Sequence, residues 1–193
     1  TTIMKRIAFS LLLLVSALLM VTAGCDKVKD LASFDVRTNL PDYKFTLDSA
    51  IVSPALKMGG SEVLLGYFPA VVNIDSVFSH YGVDEADIQN SSFTMVQLTI
   101  DSPEGVTFDW LSSARIVVST SPTLAGGVQV AHTATFSSGS STITFIVDET
   151  GINSMVSNGV FYVGIYGILS GPLPVNLVGL ALQSQIVYTV NPL

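Results

Sequence analysis

The chain has 193 residues, with 8 basic side chains against 15 acidic ones, a formal net charge of −7 and a single cysteine. The acidity, and the absence of clustered Lys and Arg, exclude nucleic acid as a partner, since phosphate binding needs a concentrated positive surface. One thiol excludes an intramolecular disulfide, so an exported domain of this sequence is held by its apolar core, which a 49% hydrophobic content permits.

Thr1-Thr2-Ile3 precede a start at Met4 and stand apart from the fold. Met4-Lys5-Arg6 is a basic opening, residues 7–21 form an apolar stretch, and Thr22-Ala23-Gly24 leads directly into Cys25. This order resembles a bacterial lipoprotein signal. The resemblance implies cleavage between Gly24 and Cys25, a diacylglyceryl group on the Cys25 thiol, and a fatty acid such as palmitate on the freed amine. Thr22 departs from the aliphatic residue commonest at its position in that family. Several acyl chains, at about 0.8 kcal/mol per buried methylene, give durable anchorage where one is marginal.

Two other readings of this stretch stand beside the first. Residues 7–21 fall short of the about 20 apolar residues that span a bilayer unless the small residues after them are recruited. An ordinary secretory signal with Cys25 as a bystander has the same order of regions. On the lipoprotein reading, residues 1–24 are the signal, 25–31 the lipidated cysteine and a short tether, and 32–193 one domain. Without Lys5 and Arg6, six basic side chains face all 15 acidic ones, a formal charge of −9.

The domain reads as mainly β. Phe34, Val36, Thr38 and Leu40 alternate with Asp35, Arg37 and Asn39, and after Pro41-Asp42 the residues Tyr43, Phe45 and Leu47 alternate with Lys44, Thr46 and Asp48. This second strand is read as extending through Ile51 and Val52. Gly59-Gly60 breaks the chain, and residues 63–72 resume an apolar run that Gly66 and Pro69 bend or bulge. Asn73 caps a short helix over residues 74–81 that Gly82 stops, and Asp84-Glu85-Ala86-Asp87 forms an acidic turn.

Val96, Leu98 and Ile100 predict a strand before Ser102-Pro103-Glu104-Gly105. Residues 108–113 predict a helical turn that brings Trp110 and Leu111 under the sheet, and Ala114, Ile116 and Val118 a further strand. Val128, Val130, His132, Ala134 and Phe136 share a face, and with Ile143, Phe145 and Val147 they predict a hairpin across Ser137-Ser138-Gly139-Ser140. Residues 149–158 predict a second short helix, and residues 161–169 and 180–190 the last strands, parted by Gly171-Pro172-Leu173-Pro174. About nine strands with one or two short helices predict an antiparallel β-sandwich or jelly roll.

No constellation names a reaction. His80 and His132 have no Gly-x-Ser-x-Gly elbow beside them, and His132, on an apolar face, reads first as a hydrogen-bonded core or rim residue. With Cys25 acylated, the two separated histidines make no zinc set, and the acidic turn lacks calcium-loop spacing. No metal or cofactor is expected. Trp110 and His132 remain as weak ligand candidates, and Phe93, Tyr162 and Tyr166 as aromatic rings able to stack on a sugar, against their commoner role as cross-strand packing.

The expectation is therefore a non-enzymatic binding, adhesion or assembly component, similar in architecture to small surface or periplasmic lipoproteins of Gram-negative bacteria. It is anchored through Cys25, on an undecided leaflet, with a protein or glycan partner and a monomeric domain. The alternatives are a fibre subunit using strand addition, a carbohydrate-active or other hydrolytic enzyme, and a carrier of an apolar ligand.

Overall fold

The computed structural model describes residues 33–57, 62–79, 81–82, 87–133 and 137–191. The signal, Cys25, the tether, His80, Asp84, Glu85, Ala134 and Phe136 lie outside the described residues. Ten strands form two antiparallel sheets. They are β1 (Phe34–Asn39), β2 (Tyr43–Asp48), β3 (Glu62–Val71), β4 (Ile88–Ser102), β5 (Leu111–Ser119), β6 (Val128–His132), β7 (Thr142–Thr144), β8 (Ile146–Val147), β9 (Val160–Leu169) and β10 (Leu177–Val190).

In the first sheet β10 is central. It pairs along one side with β4, beyond which lies β7, and along the other side with β1 over Ile186 and Tyr188 and with β2 over Leu180 and Leu182. The second sheet runs β3-β9-β5-β6-β8. Successive antiparallel pairs, β1/β2 with β10, β3 with β9, β4 with β7 and β5 with β6, alternate between the sheets, which is a ribbon rolled into a jelly roll. Period-2 patterning drives this closure. In β10, Val178, Leu180, Leu182, Ile186, Tyr188 and Val190 are buried, while Gln183, Gln185 and Thr189 face outward. β9 answers across the sandwich with buried Phe161, Val163, Ile165 and Leu169.

Several expectations are corrected. Ile51 and Val52 do not extend β2; Asp48 Oδ1 accepts from Ala50 N at 2.8 Å and turns the chain into helix α1 (Ser49–Lys57), which buries Val52 and leaves Ile51 exposed. Asn73 does cap α2 (Ile74–Phe78), accepting from Ser76 N at 3.0 Å, but the helix ends at Phe78. Gly66 marks a bulge in β3, whereas Pro69 keeps its register opposite Tyr162 on this edge strand. The hairpin of 128–136 with 143–147 is divided. Thr142–Thr144 pairs with β4 in the first sheet, and only Ile146–Val147 crosses to pair with β6. Residues 149–158 contain only the single turn α3 (Asn153–Val156), so three short helices stand among the described residues where one or two were expected, besides a 3-10 turn at Phe108–Trp110.

Candidate functional site

The two outer faces of the sandwich differ in chemistry. On the first sheet, Lys44 Nζ meets Asp101 Oδ2 at 2.9 Å across β10, Thr189 Oγ1 donates to Asp35 Oδ1 at 2.9 Å, and Gln185 Nε2 donates to Asn39 Oδ1 at 2.9 Å. With Gln97, Thr99, Thr142 and Thr144 this makes a mainly polar face, on which Met95 is also exposed.

On the second sheet the outward residues include Leu64, Tyr67 and Val71 of β3, Val160, Tyr162 and Tyr166 of β9, and Ile146 of β8, together with the polar Glu62, Ser113, Arg115, Gln129 and His132. Leu64, Tyr67, Val71 and Val160, four of the ten exposed large apolar or aromatic side chains described, are gathered along β3 and β9, and Ile146 lies apart on β8 at the opposite edge. The bulge at Leu64/Gly66 puts Tyr67 in line with Leu64 despite their odd spacing, which hid the stripe from a period-2 reading. Tyr67 and Tyr162 lie parallel, ring centroids 5.9 Å apart at 6°. Partial loss of hydration, and then the neighbouring Tyr162, push the Tyr67 phenol above its ordinary range.

Two ion pairs interrupt this face, Arg115–Glu62 and His132–Asp148. Arg115 of β5 holds Glu62 bidentately, Nε to Oε1 at 2.6 Å and Nη2 to Oε2 at 2.7 Å, while its guanidinium lies 4.6 Å from the Tyr166 ring centroid. The hydrogen bond from Arg115 holds the Glu62 carboxyl below the usual range and is opposed by desolvation. The pair is self-neutralising, so the face carries little net charge on an acidic molecule.

A loop crosses the same face. Gly164, between Tyr162 and Tyr166, leaves a trough that the Leu124 side chain fills, and a Cβ at Gly164 would overlap it. Leu124 has φ +58°, the one non-glycine residue among those described in the left-handed region. Ser119 Oγ donates to Ala125 O at 2.9 Å and fixes the loop base.

The singled-out residues fall in separate places. His132 sits at the rim of β6 with Nδ1 2.8 Å from Asp148 Oδ1, and Gln129 Nε2 donates to Asp148 Oδ2 at 3.0 Å. No serine among the described residues bonds the ring, so a nucleophile–base relay is not assembled there. Trp110 is 4% exposed, packs on Phe108 with centroids 5.8 Å apart, and lines a cleft of about 330 Å³ with Thr107, Asp109 and Pro172. Its Nε1 is buried without a hydrogen-bond partner among the described residues. Asp109 beside it is held below the carboxylate range by Gly139 N (2.8 Å), then Thr107 Oγ1 (2.9 Å) and Ser138 Oγ (3.2 Å), and so it staples a loop. Phe93 is buried edge-on to Phe161, and Tyr162 and Tyr166 are occupied by Tyr67 and Arg115 as cross-strand partners. Among the described residues no three His, Cys, Asp or Glu side chains converge on a metal position.

Strand order and faces together define a jelly-roll β-sandwich with one mainly polar outer surface and one that carries an apolar strip along β3 and β9. No protein-family model matches the chain, and no curated protein matches it. Among solved structures, it is similar to the acid-stable capsid of Helicobacter pylori bacteriophage KHP30, with 9% identity, 82% of this chain and 93% of that chain covered, and a TM-score of 0.32. It is also similar to Desmodium yellow mottle tymovirus (14% identity, 81% and 90% covered, TM-score 0.25) and to a 60-mer BFDV capsid protein (7% identity, 83% and 94% covered, TM-score 0.35). Likeness this slight carries no functional weight, and the fold assignment rests on strand order alone.

Proposed function

We propose that the chain is a lipid-anchored module of a bacterial cell envelope, tethered through Cys25, that works by binding and not by catalysis. The observation that carries the binding reading is the apolar outer face of the second sheet. A soluble surface rarely gathers large apolar side chains on one sheet face unless something meets them, and here the opposite sheet shows how the same molecule makes an ordinary polar face. The face is nearly neutral, so a partner is recognised there by apolar and hydroxyl contacts and not by charge.

The fibre-subunit alternative is disfavoured by the strand edges among the described residues. β7 and β8 have three and two residues, β3 is bulged and carries Pro69, and the edge made by β1 and β2 is broken at Leu40-Pro41-Asp42. Edges this short or irregular resist open-ended pairing, in keeping with a monomeric domain. Residues 177–190 form a strand paired on both sides within the chain, which favours the binding-module reading over strand donation.

The anchoring half is tested by labelling cells with a radioactive fatty acid. The native chain takes up label and fractionates with membranes, whereas Cys25→Ser is unlabelled and loses cleavage before residue 25. Label on the Cys25→Ser chain rejects the anchor. The binding half is tested by retention on isolated envelope fractions of a Tyr67→Ser/Val71→Ser double variant, expected to fall several-fold, against a Thr99→Ala/Thr144→Ala variant of the polar face, expected to be unchanged. Equal retention of the two rejects the apolar face as the binding surface.

A further inference from the structure

Strand register brings several remote segments to one end of the sandwich. β1 starts there with Phe34 opposite Val190, and β4 starts there with Ile88 opposite the same residue. On the second sheet β3 ends at Val71, paired with Val160 where β9 starts. After Val72 and Asn73 the chain enters α2, whose buried Phe78 lies edge-on to Tyr188 at 5.3 Å and so ties this end of β3 to this end of β10. Just beyond, Tyr81 N donates to Phe78 O at 2.8 Å, and the Tyr81 ring lies 6.4 Å from that of Phe34.

At this end the core stops short of its own pattern. Phe34 has the parity of Val36, which is 2% exposed, yet Phe34 is 37% exposed and Tyr81 beside it 53%. Val71 and Val160 are exposed as well, so four of the ten exposed large apolar or aromatic side chains described stand here. The position of Cys25 says what covers them. Residues 26–33 separate it from Phe34, and this much chain reaches at most about 30 Å. β10 runs for 14 residues and sets the opposite end of the first sheet about 40 Å away. A molecule held by acyl chains on Cys25 therefore cannot stand on its opposite end, because the tether is too short to lift Phe34 that far from lipid.

We propose that this end docks on the lipid bilayer, with Phe34 and Tyr81 entering at head-group depth and Val71 and Val160 flanking them. The contact rests on the lipid-anchored reading and gives the domain a fixed orientation. Aromatic rings suit that depth, being apolar over most of their surface, and α2 holds Tyr81 in place through the buried Phe78, so little ordering is needed on contact. The charged residues described at this end are Asp35, Asp75 and Asp87, which gather no positive charge for an anionic lipid. The head group is therefore zwitterionic. Contacts this few bind weakly by themselves, and the anchor at Cys25 supplies the local concentration that makes them persist. Leu64 and Tyr67, farther along the apolar strip, are left to the partner.

The test reconstitutes the acylated chain in phosphatidylcholine vesicles whose acyl chains carry bromine, a short-range quencher of tryptophan. Tyr81→Trp puts a reporter at the docking end, and Leu177→Trp puts one on an exposed position at the start of β10, the opposite end. Emission of Tyr81→Trp is expected to fall severalfold against unbrominated vesicles, and that of Leu177→Trp to stay unchanged. Adding Phe34→Ser to Tyr81→Trp is expected to relieve most of the quenching while the chain still floats with the vesicles and keeps its native circular dichroism. Equal quenching of the two reporters, or quenching that Phe34→Ser leaves intact, overturns the proposal, since the tether alone then accounts for proximity. Absence of quenching at Tyr81→Trp in chains that float with the vesicles also overturns it and gives this end to a protein partner, with the anchor still standing. A chain that takes no fatty-acid label at Cys25 overturns both the orientation and the anchor, so the two failures are told apart.

Discussion

Tyr188 places a phenol at the middle of the sandwich, fully buried, with Phe78 edge-on at 5.3 Å and no hydrogen-bond partner for its hydroxyl among the described residues. An unsatisfied buried hydroxyl costs about 1–3 kcal/mol, so Tyr188→Phe is expected to raise the urea midpoint by roughly 1 kcal/mol of stability. A clear loss would show that the hydroxyl is bonded. Burial pushes this phenol up to about 12. In the unfolded chain it ionises near its ordinary 10, so between 10 and 12 the unfolded state sheds a proton that the native state keeps. Stability from this group is complete below pH 10 and falls by about 1.4 kcal/mol per unit above it. The pH dependence across that window should be shallower in Tyr188→Phe, checked by urea unfolding at stepped pH. Glu62 has the opposite sign: its lowered carboxyl contributes above the ordinary value of 4.5 and the contribution is lost in acid. Glu62→Gln is expected to cost less than about 1 kcal/mol near neutral pH because the pair is partly exposed.

At the scale of elements, Leu124 and Gly164 are a matched pair. Holding Leu124 in the left-handed region costs about 1–2 kcal/mol, offset by seating its side chain over Gly164. Gly164→Ala should destabilise by about 1–3 kcal/mol by expelling Leu124. In a Gly164→Ala/Leu124→Ala double variant the two effects should fall well short of additive, and additive values from denaturant unfolding would mean that the loop is held elsewhere. Alternation made most strands legible beforehand. The faces of β1, β2 and β10 follow directly from residues such as Val36, Leu47 and Leu180. Alternation says which face a residue takes and not which neighbour its strand takes. This is why the crossing between Thr144 and Ile146 stayed hidden, and why Ile51 and Val52, apolar and β-branched, read as strand until the Asp48 cap was seen. The candidate surfaces were less legible still. The apolar strip is built from β3 and β9, which lie far apart in sequence and meet only in the sheet.

At the scale of the whole molecule, cutting after Gly179 removes Leu180, Leu182, Ile186, Tyr188 and Val190 from the core, each worth about 1.5–3 kcal/mol, more than the total stability of many domains this size. The truncated chain is expected to be unfolded by circular dichroism, and retention of native signal would contradict the central place of β10. That place also has a consequence in time. Phe34 pairs with Val190 and Asp48 with Leu177, so β1, β2 and β4 share a partner that follows all of them along the chain. Contacts this distant in sequence close slowly. Until residue 190 has been made, the first sheet lacks its central strand, whereas the second is complete at Leu169. The fold thereby sets its own clock, with the second sheet able to assemble first and the first sheet waiting for β10.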